Sequence, residues 1–192
     1  MVNQRNNVHV SGYVQSEKEH DSKNYQLIVG IETNNQILPV TVIVEKEQWE
    51  KFKSDFPAKY KSATISGQLQ AFRDETGTHY AIKAGERSIN CFHNILNQAL
   101  DESESQFHGR VRLERKFDFD TSSNLYLKRL LFRTDSVHPV FFEAMALRGA
   151  APFFDNINEG DCMYLRANYV LDKSGKPPYW RIKHKPQACA CR

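Results

Sequence analysis

The chain has 192 residues, with 26 lysines and arginines against 23 aspartates and glutamates, 40% hydrophobic content and a net charge of +3. That composition is too apolar for a disordered polymer, and no apolar run approaches the roughly 18 to 20 residues of a membrane span. The length suits one domain or two small ones, and the opening "MVNQRNNVHV" lacks the apolar core of a signal peptide.

The charge is unevenly spread. Residues 1–88 hold 11 basic and 11 acidic side chains, residues 89–104 hold only Asp101, Glu102 and Glu104, and residues 105–192 hold 15 basic and 9 acidic ones. A polyanion would therefore feel the second half most. Four cysteines, Cys91, Cys162, Cys189 and Cys191, show no two-residue spacing, which favours a reducing, cytoplasmic setting.

"VHVSGYV" alternates, with Val8, Val10, Gly12 and Val14 on one face and His9, Ser11 and Tyr13 on the other. "YQLIVGIE" does the same with Tyr25, Leu27, Val29 and Ile31, leaving Gln26 and Ile28 outward, and "PVTVIV" follows with Val40, Val42 and Val44 inward. The period then changes. Trp49, Phe52 and Phe56 stand at helical spacing in "EKEQWEKFKSDF", so a short amphipathic helix is expected. "SATISGQLQAF" and "HYAIKAGERSI" return to period two across the turn "RDETGT". The order is β-β-β-α-β-β.

The second half repeats this pattern. Gly109 answers Gly12, Pro139 and Val140 answer Pro39 and Val40, and "CMYLRANYVLDKSGKPPYWRIK" answers "ATISGQLQAFRDETGTHYAIK". A period near 100 residues points to domain duplication rather than to a solenoid, whose repeats are far shorter; chance likeness of two β-rich stretches is the competing reading. Five strands with a helix between the third and fourth is the layout of an OB-fold. The expected fold class is thus all-β with one short helix per repeat, as two tandem five-stranded Greek-key OB-fold barrels. Residues 1–90 form the first, 91–104 an acidic linker, and 105–192 the second, basic one. Gly12 would relieve the bend of a first strand that serves both sides of the closure, although a bulge glycine in another barrel fits too.

"NNVHVSGYV" and "ATISGQLQAFRDETGTHYAI" together resemble the first, fourth and fifth strands of bacterial single-stranded DNA-binding proteins. Residues 5–88 carry the likeness well and residues 105–187 only in outline. The resemblance implies binding of single-stranded DNA with little sequence choice. Two departures stand out: the chain ends "KPQACACR" instead of a glycine- and proline-rich tail with an acidic tip, and it joins two domains where the family usually has one. A paralogue from a phage, plasmid or other mobile element, or a primosome-type accessory protein, fits those departures better than a housekeeping member.

Unpaired strands need cations for phosphates and flat groups for bases. In the second half, His108, Arg110 and Arg112 alternate with inward Phe107, Gly109, Val111 and Leu113. Arg129 and Arg133 point outward from the next strand, and Arg181 and Lys183 from the last, with Glu114 the one acid on the same positions. Stacking candidates are Tyr13, the counterpart of Arg110, then Phe117 and Phe119 in "KFDFDTSS", and Phe141, which faces away from Val140 and Phe142. Trp49 and Trp180 read as core. Lys173 and Lys176 in "LDKSGKPPY" offer a clamp, and Arg73 and Lys83 are the matching cations of the first half. A solvated polar face is the default alternative for any such stripe.

No phosphate-binding glycine loop, zinc signature or nucleophile elbow is present, so neither a catalytic centre, a cofactor nor a metal is expected. Asp118 and Asp120 read as solvated loop carboxylates, and His184, Cys189 and Cys191 fall short of a zinc set. The competing functions are a protein-interaction or oligomerisation module, suggested by the neutral first half with an outward Ile28, and RNA binding. Expected partners are single-stranded DNA, a helicase or other replication protein, and a second copy of the chain, with no membrane.

Overall fold

The computed structural model describes residues 6–33, 36–57, 62–74, 77–91, 104–117, 127–136, 138–171, 178–182 and 184–188. Contacts divide the chain into two compact units, one comprising Val8–Ser105 and the other Gln106–Arg192 with Met1–Asn7. The linker residues 92–103 lie outside the described residues.

In the first unit, β1 (Asn6–Glu19), β2 (Asn24–Thr33), β3 (Gln36–Glu45), β4 (Ser62–Asp74) and β5 (Gly77–Cys91) make a closed barrel. β1 pairs antiparallel with β2 and β4, β2 with β3, β3 runs parallel to β5, and β5 pairs antiparallel with β4. That circuit is consistent with an OB-fold. The period-two pattern places Val8, Val10, Leu27, Val29, Val42, Val44, Ile65 and Ile82 inside.

Gly12 sits where β1 passes from pairing with β4 to pairing with β2. A Cβ there would stand 2.3 Å from the Gly30 carbonyl oxygen of β2, so the glycine permits two backbones to approach. Just beyond it, the register of β1 to β2 shifts between Val14 and Ser16. β6 carries such a shift too, between Leu113 and Arg115.

α1 (Lys46–Asp55) follows β3 and buries Trp49 and Phe52, stacked at 5.5 Å. Trp49 Nε1 donates to Glu17 Oε2 at 2.7 Å, and Lys53 Nζ reaches Glu17 Oε1 at 3.0 Å, so the helix is tied to β1 at its polar edge as well. Phe56, expected on the buried stripe, is exposed because the helix stops at Asp55 and Phe56 caps it. Tyr25, half-buried below, bonds to the Glu50 carboxylate, which raises its hydroxyl pKa.

The second unit contains β6 (Glu104–Phe117), β7 (Leu127–Thr134), β8 (Phe141–Leu147), β9 (Cys162–Val170), β10 (Tyr179–Ile182) and β11 (Gln187–Ala188). Its pairings run in the same sense. β6 joins β7 and β9, β7 joins β8, β8 lies parallel to β10, and β10 pairs with β9. Phe107, Phe132, Phe142 and Trp180 meet in one aromatic core, with ring centroids 5.0 to 6.2 Å apart. Trp180 and Trp49 are both buried, as read from the sequence.

Three features depart from the expected repeat. The helix is a six-residue 3₁₀ segment, Ala151–Asn156, with Pro152 in its first turn; Lys116 Nζ donates to the Phe154 carbonyl at 2.6 Å and Lys128 pairs with Asp155 to hold it. β11 is an additional strand on the far edge of β9. Cys162 is disulfide-bonded, a state that the scattered cysteines and the reducing setting inferred from them did not foretell. Among the described residues no helix is long and apolar enough to cross a membrane.

Candidate nucleic-acid interface

The outward positions of β6, β7, β8 and β10 form continuous cross-strand rows. In one row Arg112 lies opposite Arg133, which lies opposite Phe141. In the other Phe117 lies opposite Arg129, Arg129 opposite Met145, and Met145 opposite Arg181. Cross-strand partners stand about 5 Å apart, so each row brings cations and rings within reach of one short length of polymer. Arg112, Arg133 and Phe141, with Phe117, Arg129 and Arg181, therefore share one outer wall of the second unit, while Arg110 and His108 of β6 lie opposite Tyr164 and Arg166 of β9.

Phe141 is 48% exposed while its neighbours Val140 and Phe142 are buried, so about half of its surface faces solvent. Phe117 is half-buried and flanked by guanidinium groups, Arg129 at 5.0 Å and Arg115 at 5.3 Å from the ring centre. Such stacking preorganises flat cationic surfaces for bases.

The arginines are not equally available. Arg129 Nε donates to Glu143 Oε2 at 2.7 Å, Arg110 Nε lies 3.1 Å from Asp135 Oδ2, and Arg133 Nε lies 2.9 Å from Glu114 Oε1. This corrects the expectation that Glu114 alone would share the stripe, since Glu143 and Asp135 reach it from β8 and from the turn after β7. The Arg129–Glu143 pair is exposed on both sides and of the kind that contributes only about 0 to 1 kcal/mol, whereas Arg110 Nε and Glu114 Oε1 are buried. A phosphate can therefore displace the carboxylate at modest cost at Arg129. Arg112 and Arg115 are exposed and make no ion pair with any described carboxylate. Arg181 Nε is buried with no hydrogen-bond partner among the described residues, a donor that an incoming acceptor would satisfy.

Other predicted residues lie apart from this wall. Tyr13 is 39% exposed on the first unit, opposite Gly30 of β2. Lys83 bonds to the Asn24 side-chain carbonyl and is held there. His108 is exposed on β6 but faces Arg166 of β9. Lys173, Lys176, Lys183, Phe119, Asp118 and Asp120, and the side chain of Arg73, lie outside the described residues. Sequence reasoning passed over Arg115, Tyr164 and Arg166. Arg115 was hidden because the β6 bulge inverts the alternation after Leu113, and Tyr164 because an aromatic in a strand reads as core.

The first unit's outer face is neutral. His9 Nδ1 and Ser66 Oγ are 2.7 Å apart, and Ser11 Oγ and Thr64 Oγ1 are 2.9 Å apart. The exposed aliphatic there is Ile37, at 56%, whereas Ile28 is half-buried between β1 and β3. Among the described residues no three histidine, cysteine or acidic side chains gather to hold a metal ion.

No protein-family model matches the sequence, nor does any curated protein. Among solved structures the chain is similar to the wild-type single-stranded DNA binding protein from Thermus aquaticus, with a TM-score of 0.68 at 15% identity over 97% of this chain and 94% of that one. A deletion and R190A mutant of the same protein gives 0.67 at 14% identity, over 100% and 98%. At such identity the likeness concerns the fold, which over nearly its whole length is that of the Thermus aquaticus protein.

Proposed function

We propose that this chain binds single-stranded DNA with little sequence preference, through the outer wall of β6, β7, β8 and β10. The observation that carries the reading is the pair of cross-strand rows in which Arg112 and Arg133 stand beside Phe141, and Arg129 and Arg181 alternate with Phe117 and Met145. Cations for phosphates and aromatic rings for bases within one wall are what an unpaired strand requires. The likeness in fold to a protein described as a single-stranded DNA binding protein supports it.

In this reading the chain is a tandem pair of OB-fold barrels, 1–90 and 105–192, made by duplication, and it works by covering the strand rather than by catalysis. The process served is replication, repair or transfer of a mobile element, in the cytoplasm. A helicase or primosome protein and a second copy of the chain are the partners such a role brings. The neutral face of the first unit, with Ile37 and Tyr13 exposed, supports a second reading in which that unit docks another protein.

Fluorescence polarisation with labelled single-stranded DNA, duplex DNA and RNA of equal length tests the proposal. Single-stranded DNA should bind tightest, and with five or six cations engaged the log–log slope against salt should be about −3.5 to −4. Equal affinity for the duplex would reject it, and a clear preference for RNA would move the assignment to RNA binding.

A further inference from the structure

A second basic surface lies on the β9 side of β6, beside Arg110, which stands opposite Tyr164. His108 stands directly opposite Arg166, and Tyr164, two residues before Arg166 on the same face of β9, stands opposite Gln187 of β11. Between β10 and β11 the chain passes through exposed His184 and Lys185, and Pro186 is buried against the unit. The returning segment closes a cleft of about 210 Å³ lined by these six residues and Leu165.

The chemistry of the lining is one-sided. Two imidazoles, a guanidinium, an ammonium, a phenol and an amide face the cleft, and among the described residues no carboxylate does. Among the described residues none of the six makes a hydrogen bond or an ion pair; the one contact of the Lys185 ammonium is the Phe153 ring at 5.2 Å. Arg110, Arg129, Arg133, Lys116 and Lys128 of the same unit are all engaged by protein oxygens, so this cleft concentrates charge that has no internal use. Cations facing each other across strands repel, and an anion between them turns that repulsion into binding. The planar fork of an arginine, a lysine, ring N–H groups and a phenol are the donors an oxyanion with three or four acceptor oxygens takes.

We infer that this cleft is a phosphate-binding subsite. That its natural ligand is a strand phosphate rests on the single-strand reading above, and the phosphate is either a backbone diester or the monoester at a strand end. The β11 return is what builds it, so the site is a property of the second unit alone.

The test uses the full chain at one fixed pH. Inorganic phosphate, compared with sodium chloride at equal ionic strength, should move the imidazole NMR signals of His108 and His184 to saturation. The Arg166→Gln, Lys185→Gln double variant, altered at two exposed positions, should lose that saturation while its spectrum elsewhere stays unchanged. Signals that follow ionic strength alone in both proteins would overturn the inference. Oligonucleotides carrying a terminal phosphate or a terminal hydroxyl separate the sources. If the variant merely loses a preference for the phosphorylated strand, the ligand is the monoester. If it weakens both strands alike and makes the salt slope shallower by about 1.4, the ligand is the backbone. Unchanged affinity and slope would reject a strand phosphate. Saturable phosphate shifts in a protein that binds no strand would keep the subsite and reject the single-strand reading.

Discussion

Replacing Arg112 and Arg115 with glutamine should weaken single-stranded DNA binding on the order of ten- to thirtyfold in 0.1 M salt, and should make the salt slope shallower by about 1.4. The figure follows from counterion release, since each lost phosphate contact removes about 0.7 from the slope for a single strand. These two arginines are chosen because they are exposed and have no described carboxylate beside them. Arg110 and Arg133 are poorer probes, because their removal also frees Asp135 or Glu114 and the two effects mix. The control is Lys51→Gln on α1, an exposed lysine of the first unit that should leave both affinity and slope unchanged. Lys53 cannot serve, since it pairs with Glu17 and Glu50 and helps hold the helix. A fluorescence-polarisation salt series reads all three proteins. Equal losses at Lys51 and at the arginine pair would mean that net charge, not this wall, sets binding.

The adjacent residues Phe141 and Phe142 should behave in opposite ways. Phe142→Ala empties a fully buried position against Phe107, Phe132 and Trp180, and should cost about 3 to 5 kcal/mol of folding stability. Phe141→Ala removes a ring that is half in solvent, so stability should change by less than about 1 kcal/mol. Its loss should appear in strand affinity instead, by about five- to 150-fold for one stacked base at roughly 1 to 3 kcal/mol. Urea denaturation and polarisation on the same two proteins check both halves. If Phe141→Ala bound like wild type, the row through Arg112 and Arg133 would be electrostatic only.

The parts of the fold that alternation can report were legible in the residues. Period two gave the inner faces of β1, β2, β3, β6 and β7, because a strand half-buried in a barrel wall writes its geometry directly into the sequence. What depends on register was not legible. Glu143 meets Arg129, and Asp135 meets Arg110, only because β7 pairs with β8 and β6 at particular offsets, which one strand cannot reveal. The β6 bulge hid Arg115 for the same reason, by reversing the alternation after Leu113. Gly12 was recognised as special, yet its cause lay on β2, in the Gly30 carbonyl it must clear. The 3₁₀ segment and the two-residue β11 are too short to leave a periodic trace. Hence the cleft at His184 and Lys185 had no sequence signal beyond two unassigned basic residues.

The proposed division of labour also follows from charge placement. In the first unit Lys46 pairs with Glu19, Lys53 with Glu17, and Lys83 is held by Asn24, so these three cations serve its own fold. The second unit keeps Arg112, Arg115, Arg166 and Lys185 clear of described carboxylates, and this is where the net +6 of residues 105–192 becomes an available field.

Photocrosslinking the full chain to an oligonucleotide of bromodeoxyuridine, with mass spectrometry to locate the adducts, tests the proposed wall most directly. Adducts should fall on Phe117 and Phe141, and should disappear when high salt releases the strand. Adducts confined to residues 8–91, or absent from a complex that polarisation shows to be formed, would contradict it.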